Sequence, residues 1–143
     1  AMKLHWLAYL GVLILAGAGV TSGPASASHV RQLSVQEVKG ALDKAPSLRE
    51  KGFLLVDVRS VEEHDSGAIP GTDANIDFRE MAQRHKEIGA GFDDHIVVYC
   101  QSGKRSNIAA DTLTELGYRN VYNIRGSVNA WLQAGFQLAG GRR

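Results

Sequence analysis

Cys100 is the only cysteine among 143 residues, and it stands between two segments of opposite character. Before it runs the apolar stretch Ile96 to Tyr99, the pattern of a buried strand; after it comes Gln101-Ser102-Gly103-Lys104-Arg105-Ser106, polar, cationic and short. A thiol attacks as its thiolate, and backbone N–H groups, a helix N-terminus and nearby cations can lower a thiol pKa from about 8.5 to roughly 3.5–7.5. A strand that stops at the cysteine and turns at once into a helix beginning near Ser106 supplies those conditions. Gly103 suits a loop that needs a residue free to take positive φ, while Lys104 and Arg105 add charge. Ser102 and Ser106 can offer hydroxyls to a bound anion, and Ser106 can equally cap its helix. An inert cysteine packed at a strand end is the bland alternative. Apolar packing, however, does not call for two cations and a glycine within the next five residues. A lone cysteine also excludes an intrachain disulfide framework and any zinc or iron–sulfur site built on several thiolates.

From Val30 onward, apolar runs alternate with helical patterns, the signature of an α/β domain with a mainly parallel sheet. Ser34 and Glu37 form a capping box, and Val38, Ala41 and Leu42 give that helix its apolar stripe before Pro46. The run Phe53 to Val58 reads as the first strand, apolar nearly throughout and so covered on both faces. A short helix over 61–66, the turn Ala68-Ile69-Pro70-Gly71, a short strand over 74–76 and a helix over 78–88 follow. After the strand at 96–99, Ile108, Ala109, Thr112, Leu113 and Leu116 mark one face of a helix that Gly117 stops. A strand over 121–124 and a helix over 126–134, with Trp131 turned inward, complete the pattern. In an open parallel sheet, ligands bind outside the carboxyl ends of the strands, which places Cys100 in the functional crevice. Asp57, Arg59 and Arg125 stand at strand ends near it. The first two read as braces, through hydrogen bonds and an ion pair with Glu62 or Glu63, and Arg125 either as a further grip on an anionic ligand or, equally, as a solvated charge. His64, His85 and His95 lack a metal-ligand spacing and read as surface or loop residues.

Sixteen Lys and Arg against fifteen Asp and Glu, with no basic run longer than two residues, leave no electrostatic footprint for nucleic acid. A hydrophobic fraction of 44% and a charged fraction of 22% match a globular domain and exclude disorder or a polytopic membrane protein. The length suits a single core, and a monomer is expected. The amino terminus reads differently. With Met2 as the natural start, Lys3, the apolar run Leu7 to Val20 and the pattern Ala25-Ser26-Ala27 form a secretory signal peptide over residues 1–27. The domain, residues 28–143, would then work outside the cytoplasm, as in a bacterial periplasm. An uncleaved membrane anchor over residues 4–20 is the alternative, and membrane contact is expected only in that case.

Three segments together resemble the rhodanese family. Tyr99-Cys100-Gln101-Ser102-Gly103-Lys104-Arg105-Ser106 is similar to its active-site loop, Cys-x-x-Gly-x-Arg-Ser after a Val-rich strand, and matches at Cys100, Gly103, Arg105 and Ser106. Asp57 to Thr72 resembles the amino-terminal signature, with Ala68 where histidine and Thr72 where alanine is usual. The closing stretch Asn123 to Phe136 resembles the carboxyl-terminal signature at Gly126, Trp131 and Gly135, with Ser127 in place of a second glycine. The resemblance implies a rhodanese-like five-stranded, mainly parallel sheet flanked by helices. It also implies a two-step reaction, with Gln101 to Ser106 forming the anion-binding loop. Cys100 takes the outer sulfur of a small anionic donor such as thiosulfate as a persulfide, and a thiol or cyanide acceptor removes it, with no cofactor. A non-enzymatic sulfur carrier or docking module is the first alternative. Phosphatases and arsenate reductases of related fold carry Cys-x5-Arg loops, whereas this chain has Cys-x4-Arg.

Overall fold

The computed structural model describes residues 30–140, so the signal peptide read over 1–27 lies outside the described residues. Five short strands form one sheet: β1 (Arg31–Leu33), β2 (Leu54–Asp57), β3 (Ala74–Asn75), β4 (His95–Tyr99) and β5 (Asn120–Ile124). Their order is β1-β5-β4-β2-β3, and every neighbouring pair is parallel. Parallel neighbours need crossover connections, and helices supply them on both faces: α1 (Val35–Lys44), α2 (Val61–Ser66), α3 (Met81–Arg84), α4 (Lys104–Glu115) and α5 (Ser127–Gln133). Because side chains alternate along a strand, Leu55, Val97 and Ile124 meet Val38, Leu42, Val128 and Trp131 of α1 and α5 on one face. Val56, Ile96, Val98 and Val121 meet Met81, Ala109, Ala110 and Leu113 of α3 and α4 on the other. Trp131 is core, as expected: its ring meets Phe136 edge-on at 5.0 Å and its Nε1–H donates to the Gln137 carbonyl at 3.0 Å.

Local chemistry sets the helix starts. Ser34 and Glu37 close the expected capping box on α1, and Ser60 and Glu63 close a second on α2, which the sequence reading passed over. Three expectations are corrected. An additional edge strand, β1, pairs with β5; its three residues are mostly exposed and too short to show an alternating pattern. The helix over 78–88 is divided into a 3-10 turn at Phe78–Glu80, the four-residue α3 and a second 3-10 turn at His85–Ile88. Finally, α4 begins at Lys104 and buries Ser106, Ala109, Ala110 and Leu113, leaving Ile108 exposed. Small alanines let this helix approach the sheet closely, so apolar identity alone misplaced its inner face.

Candidate active site

β4 is the central strand with the longest uninterrupted burial, and its chain passes straight into Cys100 at the carboxyl edge of the sheet. Gly103, at φ +101°, turns the loop and is the residue before α4. A side chain there would be strained by that φ, and its Cβ would lie 3.3 Å from the Gly126 amide nitrogen. The turn folds the loop around the sulfur. Gly103 N–H donates to Cys100 Sγ at 3.1 Å and the Ser106 hydroxyl donates at 3.3 Å. The backbone N–H groups of Ser106 and Ser102 complete the cradle. Burial alone would push the thiol up, since the residue is wholly enclosed. The Ser106 hydroxyl and the three N–H groups outweigh that effect and hold the Cys100 pKa below its ordinary value. Ser106 therefore serves the sulfur; Gly103 occupies the cap position, which corrects the capping alternative.

The loop is held from behind by the start of α5. Val128 N–H donates to the Cys100 carbonyl at 3.2 Å and Asn129 N–H to the Gln101 carbonyl at 2.9 Å. Ser127, just before them, adds a side-chain tie: its hydroxyl accepts the Cys100 N–H at 3.1 Å and donates to the Ile124 carbonyl at 2.9 Å. Its φ of +45° is unusual for a residue with a side chain. The family pattern places glycine here; the serine hydroxyl instead ties the Cys100 backbone to β5. Sequence reasoning noted the departure at Ser127 and missed what it does. The preceding Gly126 has no such freedom, because a Cβ there would meet Ala130 Cβ at 2.6 Å.

Around this frame stand the charged groups. Arg59, almost fully buried, donates Nε to Asp57 Oδ1 at 2.9 Å and Nη2 to Asp57 Oδ2 at 2.7 Å. It also donates to the Gly67 carbonyl at 2.6 Å and reaches the Gln101 side-chain oxygen at 3.5 Å. It thus joins the end of β2, the end of α2 and the active-site loop. Burial disfavours the guanidinium, yet the bond to Asp57 and its charge outweigh this and keep the Arg59 pKa raised. His64, read as a surface residue, reaches the same carboxylate through Nδ1 at 3.0 Å. The expected ion pair with Glu62 or Glu63 is corrected: Glu63 binds Arg105 instead, with Nη1 and Nη2 donating to its two oxygens at 2.8 and 2.9 Å. The bond to Arg105 pulls the Glu63 pKa down to about 2.

The remaining anticipated residues divide. Ser102 on the loop and Lys104 at the start of α4 are exposed, and Gln101 turns its amide to Asn129 at 2.6 Å. Arg125 is exposed and lines, with Ser34, Gln36 and Gln133, a depression between α1 and α5; none of these residues belongs to the Cys100 cradle. His85 and His95 reach the hydroxyls of Tyr118 and Tyr122.

A cysteine cradled in a strand–loop–helix turn at the edge of an all-parallel five-stranded sheet defines a class of α/β domain, and the chain belongs to the rhodanese family. Residues 34–134 match the rhodanese-like domain. Thiosulfate sulfurtransferase GlpE of Pseudomonas syringae is similar, at 35% identity over 89 residues, 62% of this chain and 81% of that protein. The human thiosulfate:glutathione sulfurtransferase is 35% identical over 91 residues, 55% of this chain and 78% of that protein. The solved structure of the human single-domain sulfurtransferase TSTD1 is similar to this fold, with a TM-score of 0.60, at 29% identity over 73% of this chain and 96% of that one.

Proposed function

We propose that this domain is a sulfurtransferase that moves a sulfane sulfur through a persulfide on Cys100. The convergence of four hydrogen-bond donors on Cys100 Sγ carries the reading, and the names of the relatives support it. In the first step the Cys100 thiolate attacks the outer sulfur of a donor such as thiosulfate. A new S–S bond forms, the old one breaks, and its electron pair leaves on sulfite. The persulfide's terminal sulfur carries the negative charge, next to the N–H groups that converge on Cys100 Sγ. In the second step a thiolate or cyanide attacks that outer sulfur, and the electron pair of the broken bond returns to Cys100. Sulfur is both nucleophile and cargo, and each step forms one new bond to sulfur and breaks one S–S bond.

Mass spectrometry of the intact protein tests this. Exposure to thiosulfate is expected to add one sulfur atom, ~32 Da, that cyanide then removes. Cys100→Ser should acquire nothing while keeping its circular dichroism. Hydrolysis of an aryl phosphate without any sulfur uptake would overturn the reading in favour of a phosphatase.

A further inference from the structure

Arg105 and two further arginines, Arg59 and Arg79, are each paired with a carboxylate. Arg59 lies against Asp57 at 2.7 Å, Arg105 against Glu63 at 2.8 Å and Arg79 against Asp77 at 2.7 Å. Asp77 also attracts Arg105 through space, and His64 adds its ring to Asp57. Lys104 stands exposed on the first turn of α4. The groups that touch Sγ are a hydroxyl and N–H groups, dipoles suited to a single negative charge. Sulfane donors differ in how much charge they bring. Attack on thiosulfate, Cys100–S⁻ + S–SO₃²⁻ → Cys100–S–S⁻ + SO₃²⁻, gathers three negative charges in the crevice. Attack on an organic thiosulfonate, Cys100–S⁻ + R–SO₂–S⁻ → Cys100–S–S⁻ + R–SO₂⁻, gathers two. In each, one S–S bond forms, one breaks, the electron pair departs with the leaving group, and no proton moves.

We propose that Glu63 sets the charge preference of the site: by neutralising Arg105 beside the Cys100 cradle, it makes the domain favour singly charged sulfane donors, of the organic thiosulfonate class, over dianionic thiosulfate. The inference rests on the sulfurtransferase reading and deepens it. Arg105 is the second residue of α4 and its charge interacts with the Cys100 thiol, but both of its terminal nitrogens are directed at the Glu63 carboxylate. Glu63 is held in place by Ser60, whose N–H and hydroxyl donate to the same Oε1 at 3.3 and 3.2 Å. The carboxylate is therefore a fixed part of the loop's surroundings and not a passing surface contact. The two partners are 42 residues apart in the chain.

Glu63→Gln tests the proposal, since glutamine keeps a capping-box acceptor for Ser60 and removes only the charge. The readout is the ratio of kcat/KM for benzenethiosulfonate to kcat/KM for thiosulfate, in which the effect of the aromatic group cancels between variants. One unpaired positive charge acting on one extra negative charge at the crevice is expected to shift the ratio about fivefold toward thiosulfate. The same variant should lower the midpoint of thiolate absorbance by about 0.7 pH unit, and Cys100, as the only cysteine, is read without interference. The double variant Glu63→Gln/Arg105→Gln restores the charge balance and is expected to return both readouts toward wild type, which a merely structural role would not do. If neither donor delivers sulfur to the wild-type protein, the sulfurtransferase reading fails and takes this inference with it. If both deliver sulfur and the ratio in Glu63→Gln stays within twofold of wild type, this inference alone is overturned.

Discussion

Ser106→Ala removes one of the donors that hold the Cys100 thiolate, and its consequences follow from the cradle. The hydroxyl lies 3.3 Å from Sγ and, among the donors, does most to lower the thiol pKa. A hydrogen bond to a charged group is worth about 1.5–3 kcal/mol, and the lower figure raises the thiol pKa by about one unit. At pH values below both pKa values the thiolate fraction then falls about tenfold. A more basic thiolate is also a better nucleophile, and with a Brønsted slope of about 0.4–0.5 the rate per thiolate rises two- to threefold. The net expectation is a three- to fourfold loss of kcat/KM on the acid limb, a modest gain on the alkaline plateau, and a pH–rate midpoint displaced upward by about one unit. Steady-state transfer from thiosulfate to cyanide across pH, beside the thiolate absorbance titration of the same protein, measures both. A uniform loss at every pH with an unmoved midpoint would show that Ser106 shapes the loop without stabilising the thiolate.

Ser127→Ala should destabilise the fold by about 1–2 kcal/mol in urea denaturation, because the Cys100 N–H loses its acceptor in a buried place and the positive φ stays. Arg59→Leu should cost about 3–5 kcal/mol, since Asp57 would be left charged, buried and without its guanidinium; a loss below about 1 kcal/mol would mean that His64 or water replaces it. For Glu63, a pKa lowered from 4.5 to about 2 means that its contribution to stability is present above pH 4.5 and is lost as pH falls toward 2. The pair is about a third exposed, so solvent discounts its size. Glu63→Gln should flatten the acid end of the stability curve over that window and leave the neutral region's slope unchanged.

How far the site could be read in advance depended on the range of each interaction. The strand at 96–99, the cysteine that follows and Gly103 form one local unit, and apolar periodicity with a turn glycine locates them without reference to the rest of the chain. The capping box at Ser34 was legible for the same reason; the equivalent box at Ser60 was obscured because Glu63 had several plausible partners within a few residues. The inner face of α4 was misread at Ile108, where size favoured burial but the close approach to the sheet required alanine.

The sequence by itself determined the lone cysteine and its loop, the α/β class and the family, since each is written in residue identity, spacing and short-range periodicity. Tertiary structure alone decided which charge meets which: Arg105 with Glu63 across 42 residues, Arg59 with its near neighbour Asp57, and the Ser127 hydroxyl with the Cys100 N–H across 27. The physical reason is that an ion pair or hydrogen bond depends on where two groups lie within a few ångströms in space. Several partners of equal chemistry are offered by the chain, and only the packing of α2, α4 and α5 against the sheet brings one of them into reach.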